Sequence, residues 1–265
     1  MPKLSFFLLF FIFFLTFFGE YFYTLSPYEL DPHSILFSPS LQHPFGTDRL
    51  GRDILARVIE GGKVSLVIGI ASALIASLIG LIYGVMAGYF RGYFDKIFVI
   101  VVDLFLTFPT LFLLLALVGY VDASVFILIA IISITGWMST ARLIRSDSYK
   151  ITKQPFIKIL NIAKVSKTKI FFKYYAPLLA PIFLVSFTFG IGGAILTESS
   201  LSFLGLGIVP PQMSWGTILN GGKEVIEIAW WVSFFPGLMI FLVTFCFMNI
   251  ASYLQELFNQ KEVQQ

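Results

Sequence analysis

The sequence predicts an all-α, polytopic membrane protein with six transmembrane helices, on three observations. Of its 265 residues, 57% are hydrophobic and only 12% charged, against about 45–50% apolar and about 25% charged in ordinary soluble domains. Long uncharged runs recur, each near the roughly 20 helical residues needed to cross a hydrocarbon core about 30 Å thick. The 18 Lys and Arg are bunched, not scattered, as expected when loops lie on two different sides of a bilayer. A formal charge of +3 is too small to indicate a nucleic-acid partner. The single cysteine, Cys246, lies in an apolar run; it excludes an internal disulfide and reads as a packing residue.

The first span, residues 4–18, is short and Phe-rich behind Lys3. Its length suits a signal peptide, but no small-residue cleavage site follows in Phe17-Phe18-Gly19-Glu20, so it reads as an uncleaved anchor with a cytoplasmic N-terminus. The anchor and the external loop after it form a unit over residues 1–64. That loop opens with turn signals (Ser26-Pro27, Asp31-Pro32, Ser38-Pro39, His43-Pro44) and ends, over 53–63, in a short interfacial helix. The core transmembrane region is 65–255. Its first span, 65–89, carries Gly69, Ala73, Ala76, Gly80, Gly84 and Gly88 about every fourth position, a stripe that lets another backbone approach and puts this span at the centre of the bundle. The next span, 97–119, holds Asp103 and Pro109. Asp103 either lines a solute path or pairs across the bundle, and Pro109 kinks its helix. Spans at 123–138, 178–196 and 231–253 complete the six, with an external segment at 198–230 and a short cytoplasmic tail at 256–265.

The basic residues orient this topology. The connection 139–177 holds Arg142, Arg145, Lys150, Lys153, Lys158, Lys164, Lys167, Lys169 and Lys173, half of the chain's 18 cations, against the single acid Asp147. The segment 198–230 has only Lys223 against Glu198, Glu224 and Glu227. The positive-inside rule therefore places 139–177, and both termini, in the cytoplasm.

No energy-coupling site is legible in the chain. A phosphate-binding loop needs Gly, four residues, then Gly-Lys-Ser/Thr; Gly62-Lys63 and Gly222-Lys223 both fail that template. His33 and His43 stand ten apart in the external loop with no neighbouring cysteine, so no metal site is expected. No nucleophile-base pattern points to an intramembrane enzyme or assembly factor, and no inverted repeat or set of midplane charges points to a self-powered transporter.

The basic connection is the most informative element. Phe156, Ile159, Leu160 and Ala163 follow i, i+3, i+4, i+7 spacing, while Lys158, Asn161 and Lys164 share the opposite face. Pro155 suits the first helical turn, and Ser166 caps a second helical stretch ending before Pro177. Such a short amphipathic helix fits equally a membrane surface rich in anionic lipid or a groove on a soluble partner.

Two longer segments carry a resemblance. His43-Pro44-Phe45-Gly46-Thr47-Asp48-Arg49-Leu50-Gly51-Arg52-Asp53, with Arg57, Gly61-Gly62 and Ser65-Leu66, is similar to the segment before the second span in the dipeptide, oligopeptide and nickel permeases of binding-protein-dependent ABC importers. Leu201-Ser202-Phe203-Leu204-Gly205-Leu206-Gly207, then Pro210-Pro211 and Ser214-Trp215-Gly216, resembles the same family's external segment after the fifth span. The resemblance covers roughly residues 40–255 and is to the second, C-type permease of the usual pair.

It implies the type I importer permease fold in a bacterial inner membrane and no bond chemistry in this chain. It also implies a second permease subunit, two cytoplasmic ATPase subunits that bind ATP and Mg, and an external solute-binding protein. Peptide is the implied cargo, with nickel or another small solute as the alternative and a degenerate permease as a further one. The family's ATPase-docking helix carries Glu-Ala-Ala, three residues, then Gly; aligned on Pro177, those positions are Lys158, Ile159, Leu160 and Lys164, all departures. The implied coupling helix thus comprises Phe156, Ile157, Lys158, Ile159, Leu160, Asn161, Ala163 and Lys164. Lysine must then make a turn that glycine makes more easily where φ is positive.

Overall fold

The computed structural model describes residues 2–121 and 123–263, and every regular element among them is helical. In chain order the α-helices are α1 (Lys3–Phe18), α2 (Ile54–Phe90), α3 (Gly92–Thr107), α4 (Thr110–Val118), α5 (Val125–Lys153), α6 (Pro155–Ile162), α7 (Lys167–Ile170), α8 (Ala176–Phe203), α9 (Trp215–Gly222) and α10 (Trp231–Val263), with short 3-10 turns at Gly19–Tyr21 and Lys223–Val225. A π-helical turn at Phe171–Tyr175 joins α7 to α8. Five stretches are long and apolar enough to cross a membrane: Lys3–Tyr21, Ile54–Phe90, Val125–Lys153, Lys167–Phe203 and Trp231–Gln260. The bent pair α3–α4 makes six if it acts as one span.

Helix α2 is the axis of the bundle, packed chiefly against α5 and α8. Its small residues explain the closeness. A Cβ on Gly84 would meet the Ala141 carbonyl oxygen at 2.7 Å, and one on Gly80 would meet Thr140 Cβ at 2.9 Å. Hydroxyls of α5 reach carbonyls of α2 across this contact: Ser133 Oγ donates to Ser72 O at 3.3 Å and Thr152 Oγ1 to Gly88 O at 3.1 Å. Because lipid tails are as apolar as leucine, such close packing and hydrogen bonding hold spans together. Helix α1 lies against α10, where Leu9 and Ile12 share a core with Val243, Cys246 and Ile250.

Several helices outrun the apolar runs that reveal them. Helix α2 starts at Ile54, so the stretch expected as a separate interfacial helix is its first turns. Helix α5 continues through Lys153, taking in the first part of the 139–177 connection. Ile144 and Ser148, both fully buried, keep facing the bundle there, and α5 ends where Gln154, extended ahead of Pro155, leaves helical geometry. Helix α8 passes residue 196 to end at Phe203, and α10 runs to Val263, so most of the expected tail is helix; residues 264 and 265 lie outside the described residues. Hydropathy marks the lipid-crossing part of a helix, not its ends.

The stretch expected as the third span is broken, not merely kinked. Phe108 is extended (ψ 134°) ahead of Pro109, α4 starts afresh at Thr110, and the two pieces meet at 85°. Helix α3 is tied to α5 by ion pairs, Asp95 to Arg145 and Asp103 to Arg142, and by Arg91 Nη2 donating to Tyr149 OH at 2.8 Å.

Candidate functional site

The two ends of the bundle differ, and each gathers one set of the residues singled out above. At one end the segment Gly46 to Asp53 folds into a tight loop ahead of α2. Asp48 is its hub. Its carboxylate accepts from the backbone N–H of Leu50 at 2.8 Å and of Arg52 at 3.0 Å and pairs with the Arg52 guanidinium at 2.7 Å. Gly51, at φ +73°, lies against the Asp31 carbonyl where no side chain fits, so only glycine closes this turn. Thr47 is fully buried; its hydroxyl accepts from Phe37 N–H at 2.8 Å and donates to Ser34 O. The Thr47 carbonyl takes the indole N–H of Trp231 at 3.1 Å, which clasps the start of α10, and Gly46 packs on that same indole.

Asp53 ends the loop and starts the helix. Its Oδ1 accepts from Ala56 N–H at 2.8 Å, an N-cap. Its Oδ2 accepts from Tyr23 OH at 2.9 Å and lies 2.9 Å from His43 Nδ1. Burial, then the Asp53 carboxylate, push the Tyr23 phenol well above its ordinary range, so it stays a donor.

The second motif meets α2 a few turns further on. Gly205, at φ +84°, closes α8, with Leu206 N–H reaching Leu201 O at 2.9 Å. Gly207 packs on Ser202, and the exposed Pro210 and Pro211, joined by a cis peptide, lead to α9. Ser214 caps α9 in a reciprocal box with Thr217. Trp215, fully buried, donates its backbone N–H to Ser65 Oγ at 3.1 Å and its indole N–H to Val58 O at 2.9 Å. A Cβ on Gly216 would meet Ser199 Cα at 2.7 Å, which is how closely α9 lies on α8.

Glu198 was expected in the external segment; the structure instead buries it completely in the extended α8. It accepts from Ser202 Oγ at 2.7 Å and Ser65 Oγ at 3.3 Å, and Ser202 is reached in turn by Ser214 Oγ at 3.4 Å. This polar knot joins α2, α8 and α9. Its only trace in the sequence is the Glu-Ser-Ser-Leu-Ser run, a carboxylate and a hydroxyl one helical turn apart beside the second motif.

At the opposite, basic end, α6 starts with Pro155 in its first turn and lies on the tips of α2, α5 and α8. Ile157 is fully buried among Val85, Ile144, Ile170, Tyr175 and Leu179, and Leu160 packs against the same cluster. The inward face is therefore Ile157 with Leu160, not Phe156, Ile159, Leu160 and Ala163 together. Five of the eight α6 residues are apolar, so the spacing fits two registers, and the chain's return through α7 selects one. Ile159 and Ile162 are left 64% and 81% exposed, Phe156 38%, and Lys158, Asn161, Ala163 and Lys164 are exposed as well. Asn161 Oδ1 accepts from Tyr89 OH, at 3.0 Å, near the end of α2.

Lys164 adopts φ +55°. Its N–H reaches Asn161 O and the next, Val165 N–H, reaches Leu160 O, both at 3.1 Å. This pair of bonds is a Schellman closure with lysine at the position glycine usually takes. Asp103 is exposed, facing Arg142, and Pro109 is the break between α3 and α4.

Comparison with known proteins places the whole. The family described as "Binding-protein-dependent transport system inner membrane component" matches residues 80–261. The oligopeptide transport system permease protein OppC of Escherichia coli (strain K12) is 36% identical over 220 residues, covering 83% of this chain and 73% of that protein. The glutathione transport system permease protein GsiD of Salmonella typhimurium (strain LT2) is 38% identical over 241 residues, covering 89% and 80%. Among solved structures, an inward-facing MetNI methionine ABC transporter aligns with a TM-score of 0.58 at 15% identity, over 74% of this chain and 95% of that one; at that identity it speaks to fold alone.

Proposed function

Because this chain belongs to the family of binding-protein-dependent transport system inner membrane components, we propose that it is the second of two permease subunits in an ATP-driven importer of short peptides. Oligopeptide and glutathione, named in the relatives, favour peptide over nickel as cargo. The basic end faces the cytoplasm, with both termini, and the clasped motif end faces the external binding protein. Two ATPase subunits bind ATP and Mg; closing on ATP, they draw α6 along and reorient the path by rigid-body motion.

The observation that carries this reading is α6. It is rooted in the bundle by Ile157 yet leaves Ile159 and Ile162 exposed beyond it. Exposed isoleucines one turn apart are the anchors that a groove on a soluble partner takes up.

The test is co-purification with candidate ATPase subunits from the same organism, followed by uptake of labelled peptide into proteoliposomes. Uptake should require ATP and binding protein. Ile162→Glu should leave insertion and folding intact and abolish ATPase co-purification. Uptake without ATP, or unchanged association of that variant, contradicts the reading.

A further inference from the structure

Between α2, α4, α5 and α8 lies a cavity of about 220 Å³, and below it, toward the basic end, one of about 740 Å³ bounded by α5, α8 and α10. Gly136, Thr140, Ser186 and Gly190 line both, so the two are one groove from mid-helix to the basic end. The upper part is walled by hydroxyls, among them Thr110, Thr135, Ser186 and Thr197, and by no ionisable side chain among the described residues. Small residues hold the walls back. A Cβ on Gly193 would meet nothing within 4 Å, and one on Gly136 nothing nearer than Ala76 Cβ at 3.6 Å.

The hydroxyls are set to accept. Thr135 Oγ1 donates to Ile131 O at 3.0 Å and Thr197 Oγ1 to Gly193 O at 2.8 Å, which spends each proton on its own helix and leaves oxygen lone pairs facing outward. Ser72 Oγ is fully buried and has no partner. A buried hydroxyl left unpaired costs about 1–3 kcal/mol, so this one, sealed behind the wall, is a local cost of the close packing of α2 and does not itself face the groove. At the lower mouth Asp147 and Lys150, paired at 2.6 Å, set one anion and one cation side by side on α5.

We propose that this groove is the chain's half of the solute route, and that around Thr135 and Thr197 it takes the backbone amides of an extended short peptide. The inference rests on the permease reading and adds its contact residues. Peptide N–H groups match the outward lone pairs at every residue whatever the side chains. Neutral dipoles without fixed charge hold such cargo weakly, and a route must release what enters it.

Cys246→Ser removes the only thiol of this chain, and on that background Thr135→Cys, Thr197→Cys and, on the outer face of α3, Ile100→Cys are each placed in the assembled importer. A charged, membrane-impermeant methanethiosulfonate should label the first two, more slowly with excess unlabelled tripeptide, and spare the third. Labelling that tripeptide does not slow means a groove holding water only, and no labelling with or without ATP means a wall sealed by packing or lipid; either overturns the proposal. Gly193→Trp, whose Cβ has room, should abolish peptide uptake in a complex that still assembles and hydrolyses ATP. Normal uptake by that variant also overturns it. Uptake by the unsubstituted complex separates the two levels: if it imports peptide while these results fail, only the groove assignment falls, and if it imports none, the permease reading falls and takes the groove with it.

Discussion

The two ends of the bundle solve opposite problems. At the motif end the chain satisfies itself: Asp48, Asp53, Thr47 and Glu198 are buried and hydrogen-bonded, and two indoles donate to backbone carbonyls. At the basic end α6 is half finished, one face in the core and isoleucines in the open. One end buries its acids and hydroxyls among partners within the chain. The other leaves apolar side chains exposed.

That contrast predicts where substitutions should be felt. Trp215→Ala should do most harm, because it empties a fully buried site and removes the indole N–H bond to the Val58 carbonyl; a loss of about 3–5 kcal/mol is expected, read as a lowered Tm in detergent. Asp53→Ala removes the α2 cap and leaves Tyr23 and His43 without their shared acceptor. It should cost roughly 1–2 kcal/mol, and Asp53→Asn, which keeps one acceptor, less. Lys164→Gly is the smallest change and of opposite sign. By relieving a left-handed lysine it should raise stability by about 1 kcal/mol, with ATPase association retained. A destabilising Lys164→Gly would mean that the lysine side chain itself holds the turn, and the contrast between the ends would blur.

Much of this was legible in the sequence, for identifiable reasons. The spans follow from apolar length, and the central place of α2 from its glycine and alanine stripe. The lysine turn followed from aligning residue 164 with a glycine. Less legible was anything set by partners distant in sequence. Nothing near Glu198 announces that Ser65, 133 residues away, will neutralise its burial. The facing of α6 was ambiguous because its apolar residues exceed what one face can hide. The break at Pro109 was expected as a bend, since a proline fixes its own φ and restricts its neighbour but does not say how far the chain swings.

Helix α2 runs through both worlds. It has 37 residues, about 55 Å of rod at 1.5 Å per residue. One tip is fixed in the motif clasp through Asp53, and the other touches α6 through Tyr89 and Asn161. Over its C-terminal third, at Gly80, Gly84 and Gly88, it is pressed closely against α5, with little room to bend or slide there. A single rod thus joins the self-satisfied loop at one end of the molecule to the exposed helix at the other, and no flexible joint interrupts it between Ile54 and Phe90.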